Sequence, residues 1–100
     1  MKGIVWGATY QEATDKLTEI ITDYVKIYGE EIIDKVSCNK NHYYVFFTNG
    51  DNWKAVRAHE SQRGNKCNIS YVSENITDDF LIDVIAHSTT SLPFHAIMKY

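Results

Sequence analysis

A chain of 100 residues has room for one domain of ordinary size and no more. Hydrophobic types make up 44% and charged types 23%, a balance that excludes an intrinsically disordered chain. The net charge of −3 argues against a generic nucleic-acid coat, and no apolar run approaches the roughly 20 residues of a membrane helix.

The first residues lack the charged and apolar regions of a signal peptide. Two cysteines cannot build the disulfide framework of a small secreted domain. Cys38 and Cys67 therefore read as reduced thiols, with one bridge between them left open. Together these features predict a single cytoplasmic domain over residues 1–100, with no membrane contact.

Lys2 to Trp6 reads as a buried first strand that stops at Gly7. Thr9-Tyr10-Gln11-Glu12 fits a capping box, in which the Thr9 hydroxyl and the Glu12 carboxylate satisfy each other's backbone amides. Ala13, Leu17, Ile20, Ile21, Tyr24, Val25 and Tyr28 then recur at helical spacing, opposite Asp15, Lys16, Glu19, Asp23 and Lys26. This predicts an amphipathic helix ended by Gly29. Glu31 to Ser37 reads as a second strand, and Cys38 to Asn41 as a turn.

His42 to Thr48 and Asp51 to Ala58 flank Asn49-Gly50, a strong hairpin signal. A two-residue loop there sets Phe46 opposite Trp53, Tyr44 opposite Ala55 and His42 opposite Arg57, all on one face. Tyr43, Val45, Phe47, Asn52, Lys54 and Val56 fall on the other. Neither face is cleanly polar, so the hairpin is covered twice or presents a contact surface. A polar loop follows over 59–66, then a strand over 67–73. Thr77 caps a second, shorter helix with Phe80, Leu81, Val84 and Ile85 as its buried stripe. Phe94 to Tyr100 closes the chain as a strand. The order β-α-β-β-β-β-α-β predicts an α/β fold with a mixed sheet.

Charge is unevenly spread. Residues 1–34 carry three bases against seven acids, residues 35–67 six bases against two acids, and residues 68–100 one base against four acids. The middle third is thus basic at +4 between acidic flanks of −4 and −3. Within it, Trp53, Lys54, Arg57, His59, Arg63 and Lys66 interleave an aromatic with bases. Such a surface stacks bases and holds phosphates, or serves as a protein hot spot. The plainer alternative packs Trp53 on Phe46 in the core and leaves the bases scattered. No histidine pair shows metal-ligand spacing, and Gly-x-Ser-x-Gly is absent.

Four motifs stand in a suggestive order: the glycine-ended strand opening a capped helix, the Asn49-Gly50 hairpin, Ser61-Gln62-Arg63-Gly64, and an apolar strand ending at Glu74. This order resembles the N-terminal ATPase core of phage large terminase subunits, a P-loop family. The resemblance implies a motor-like scaffold with Glu74 at the position of the catalytic acid. Two departures stand against catalysis. Gly7-Ala8-Thr9 lacks the Gly-Lys-Ser/Thr of a phosphate loop, and Ser73 replaces the metal-binding Asp before the acid.

The expectation is a small phage-type accessory protein, not an enzyme and without cofactor. It would bind or inhibit a protein, for example a host defence or replication factor, through the hairpin. A nucleic-acid-binding module using residues 53–66 is the alternative, and a residual nucleotide-binding enzyme the third. Self-association is compatible with each.

Overall fold

The apolar run at the start of the chain forms β1 (Lys2–Gly7), and Ile4, Val5 and Trp6 are fully buried. The computed structural model describes residues 1–59, 65–89 and 96–100. The chain passes from β1 into α1 (Tyr10–Tyr28) through a turn so tight that a Cβ on Gly7 would overlap the backbone of Thr9 and Ala13. The capping box forms as the sequence predicts. The Glu12 N–H donates to Thr9 Oγ1 at 3.2 Å, and the Ala8 N–H donates to Glu12 Oε1 at 2.8 Å. Gly29 ends the helix at φ 88°, where a side chain would strain the backbone.

A 3-10 turn, Glu30–Ile32, takes up the start of the expected second strand, and β2 runs Ile33–Cys38. β3 (Tyr43–Phe47), β4 (Asn52–Arg57) and β5 (Ile69–Val72) follow. The second helix spans 78–88: α2 (Asp78–Phe80), a π-helical stretch Leu81–Ile85, and α3 (Ala86–Ser88). Thr77 Oγ1 caps it by accepting the Phe80 N–H. β6 (Ile97–Lys99) closes the chain, and the expected start of that strand at 94–95 lies outside the described residues.

The sheet order is β2-β3-β4-β1-β5-β6. β3 pairs antiparallel with both its neighbours, and every other pairing is parallel, so β3 alone runs against the rest. The fold is the expected α/β arrangement with a mixed sheet and a helix after the first strand. α1 lies on one face, where Leu17 and Ile20 meet Val5, Val45, Phe47, Trp53 and Ala55. The second helix lies on the other face, and Val84 and Ile85 meet Ile4, Trp6, Val56 and Val72. Trp6 Nε1 donates to the buried Ser70 Oγ at 3.1 Å, which keeps an indole N–H satisfied inside the second core.

The hairpin corrects the sequence reading. Val45 pairs with Trp53, and Phe46 with Asn52, one residue away from the expected register. The loop is therefore three residues long. The Gly50 N–H donates to the Phe47 carbonyl, the Phe47 N–H donates to the Asp51 carbonyl, and only Gly50 has positive φ, at 94°. This is a type I turn followed by a left-handed glycine, not the type I′ turn that needs positive φ at Asn49 as well. A one-residue slip reverses the face of every side chain on one strand relative to the other. Trp53 moves to the α1 face, and Phe46 remains on the opposite one.

Candidate binding surface

The second helix sits over β1, β5 and the end of β4. A helix is about 10 Å across and strands lie about 4.8 Å apart, so one helix shields about three strands at most. Among the described residues no helix covers β2, β3 or the first half of β4 on that face. Alternation within the strands decides what is displayed there. One row across the sheet is Lys35, Phe46, Asn52 and Lys2, and the next is Ser37, Tyr44 and Lys54. His42 continues the line of β3 beyond Tyr44. A shallow cavity of about 690 Å³ opens over these residues.

Three rings run along β3 at every second position. His42 and Tyr44 stack with centroids 5.3 Å apart, and Tyr44 meets Phe46 edge-on at 5.6 Å. Phe46 is 43% exposed, high for a phenylalanine within a strand. Lys35 Nζ lies 5.9 Å from the Tyr44 ring centroid, a cation–π contact. His42 Nε2 and Ser37 Oγ are 2.9 Å apart, which ties the histidine to β2. Lys54 is half-buried, and its ammonium donates to Asn65 Oδ1 at 3.0 Å. Burial pushes the Lys54 pKa below the usual lysine value, and repulsion from Lys2 adds to this. Among the described residues no carboxylate lines the cavity.

The six residues singled out from the sequence do not form one surface. Trp53 is only 4% exposed and belongs to the α1 core. Its Nε1–H donates to Tyr24 Oη at 3.2 Å, and Tyr24 Oη–H in turn donates to Asp51 Oδ2 at 2.8 Å. Tyr24 also stacks on Phe47 at 3.9 Å. Burial pushes the Tyr24 pKa up to about 12, with Asp51 adding to the rise and the Trp53 donation opposing it. Lys54 is the one member of the set found on the open face among the described residues. Arg57 and His59 are exposed at the far end of β4, and Lys66 donates to the His87 carbonyl at the end of α3. Arg63 lies outside the described residues.

Lys2, Lys35, His42, Tyr44 and Phe46 were missed. The signal that would have found them is the three-residue alternative for an Asn-Gly hairpin, which sets Tyr44 and Phe46 beside Lys54 and Asn52. The short second helix, unable to cover six strands, carries the same message.

A second cavity, of about 440 Å³, lies between the first turns of α1 and the end of β5. Its lining is acidic. Glu12, Asp15, Glu19 and Glu74 face it with Lys16 as the counter-charge, and Lys16 is already paired with Glu19 at 3.2 Å. Glu12 itself takes the place of an anion at the helix start, accepting from the Ala8 amide and from Asn75 Nδ2 at 2.6 Å. Those donors, the Asn75 side chain first, hold its carboxyl below the usual pKa. Glu74 is an exposed residue at the end of β5, with its N–H given to the Tyr100 carbonyl. Cys38 and Cys67 are not bridged to each other; Cys38 is exposed, and Cys67 is buried with its Sγ 3.2 Å from Ser70 Oγ. Among the described residues no helix is long and apolar enough to cross a membrane. No protein-family model, curated protein or solved structure matches the chain.

Proposed function

We propose that this chain is a non-catalytic binding module, of accessory or inhibitory kind, that holds an anionic partner on the open half of its sheet. The observation that carries this reading is the line His42–Tyr44–Phe46 flanked by Lys2, Lys35 and Lys54, with no carboxylate in the lining among the described residues. Exposed rings supply contact area at small entropic cost, and the ammonium groups supply charge complementarity. An acidic protein surface and a nucleic-acid strand both meet the charge requirement.

The acidic lining at the start of α1 supports the non-catalytic half of the reading, because four carboxylates repel a triphosphate and its own Glu12 occupies the amides that would hold one. The same geometry weighs against the residual-enzyme alternative. Self-association through β2 gains little support, since the register shift between Ile33 and Lys35 breaks the edge ladder at Asp34.

Two measurements test the proposal. Backbone amide shifts are followed while polyglutamate and, separately, oligothymidylate are added. Shifts confined to residues 2, 35–46 and 52–54 with either polyanion support the surface. Shifts centred on the start of α1 overturn it. Calorimetry with Mg-ATP is expected to show no heat of binding, and tight binding would return the chain to the nucleotide-dependent class.

A further inference from the structure

Resting on that reading, we infer that the open half-face takes single-stranded nucleic acid, with unpaired bases against the rings of β3 and phosphates against the lysines on either side.

The spacing of groups favours this partner. His42, Tyr44 and Phe46 recur at every second residue, with successive ring centroids 5.3 and 5.6 Å apart. The two end rings are the exposed ones, and Tyr44 between them is half-buried. Lys35 flanks the line on the β2 side, and Lys54 and Lys2 flank it on the β4 and β1 side. Cations therefore lie on both sides of a central aromatic line. A single strand that crosses this line can lay a base on a ring and bring the phosphates before and after it to the cations on the two sides.

A duplex is a poor fit. Its bases are stacked on each other and offer no free faces to rings on a flat sheet. An acidic peptide satisfies the lysines and leaves the ring spacing without a purpose. On the opposite side of the sheet α1 carries four acids against two lysines, which repels nucleic acid from that side.

The test is fluorescence anisotropy with a labelled oligothymidylate of about 12 nucleotides, within the usual site size of a single-strand module. Binding is expected at low salt, with the logarithm of affinity falling against log salt at a slope near −2, about 0.7 for each of three phosphate contacts. Phe46→Ala is expected to weaken binding about five- to a hundredfold, the range for loss of one stacked base. Lys35→Ala should flatten the slope by about 0.7. Lys26→Ala on α1 removes the same charge and should change neither. Phe46 and Lys35 are exposed, so circular dichroism should confirm that both variants keep the fold.

Absence of binding at low salt overturns the inference. So does binding that Phe46→Ala leaves intact, or that a duplex of equal length displaces as well as the single strand does. If polyglutamate moves the amides of this face and oligothymidylate does not, the partner is an acidic protein, and the inference fails while the binding-module reading stands. If neither polyanion moves them, both fail.

Discussion

The two faces of the sheet carry similar side chains and meet different fates. On the α1 face, Tyr43, Phe47 and Trp53 are buried under a 19-residue helix. On the other face, Tyr44 and Phe46 stand on the same strand, one residue along, beside lysines and without a helix above them. Aromatic character alone does not place a residue inside. What places it is whether a second layer reaches that part of the sheet. The described residues form one long helix and one short one, and the short one is spent on β1, β5 and the end of β4.

The largest contrast should appear between two aromatic truncations. Trp53→Ala leaves a void beneath α1 and is expected to cost about 3–5 kcal/mol in urea unfolding. Phe46→Ala should stay within about 0.5 kcal/mol, as surface substitutions do. Equal losses would mean that the second face is covered in solution, and the proposed surface would be lost with it.

Gly3→Ala sharpens the same comparison from below. A Cβ there would overlap the Trp53 ring, so the substitution should cost about 1–3 kcal/mol by overpacking. A neutral result would show that Trp53 is not seated as described.

Tyr24→Phe removes the hydroxyl that links Trp53 to Asp51 and should cost about 1 kcal/mol, plus any penalty for the orphaned indole N–H. It also changes the alkaline limb. The Tyr24 pKa is raised from 10.0 to about 12 in the folded chain. The protonated phenol is therefore favoured by folding. Its contribution is complete below pH 10 and is lost as pH rises toward 12. Wild type should lose stability across that interval, and Tyr24→Phe should lose less. Identical alkaline limbs would contradict the buried phenol.

The smallest effect belongs to Glu12→Gln at the start of α1. The Glu12 carboxyl pKa is lowered in the fold, so its contribution is present above the ordinary value of 4.5 and fades as pH falls below it. The variant should be slightly less stable at neutral pH and flatter between neutral and acid. If it instead gains affinity for phosphate, the vacated amides are an anion site after all.

Much of the architecture is legible from local chemistry. The Thr9–Glu12 capping box, the apolar stripe from Ala13 to Tyr28, Gly29 and the Thr77 cap each act within a few residues, so reading them requires no tertiary contact. The composition of the open face is harder to read because it depends on parity. Tyr43-Tyr44-Val45-Phe46-Phe47 has no polar alternation to say which side faces α1. Asn49-Gly50 is compatible with a two- or three-residue loop, and the choice exchanges Trp53 for Asn52 opposite Phe46.

The −3 of the whole chain and its basic middle third are properties of the sequence by itself, as are the order of elements and the long first helix. Local propensity and short-range capping are enough to determine them. Only the tertiary structure decided where the positive charge and the aromatic rings meet. Trp53 goes inward because α1 offers it Tyr24 and a cavity above Gly3, and that pins the hairpin register. Lys54, Tyr44 and Phe46 are then turned to the opposite face, beside Lys35 of the neighbouring β2 and Lys2 of β1, which is distant in sequence. Side chains on a strand alternate with period two, so a single long-range contact sets the outlook of every residue in the hairpin.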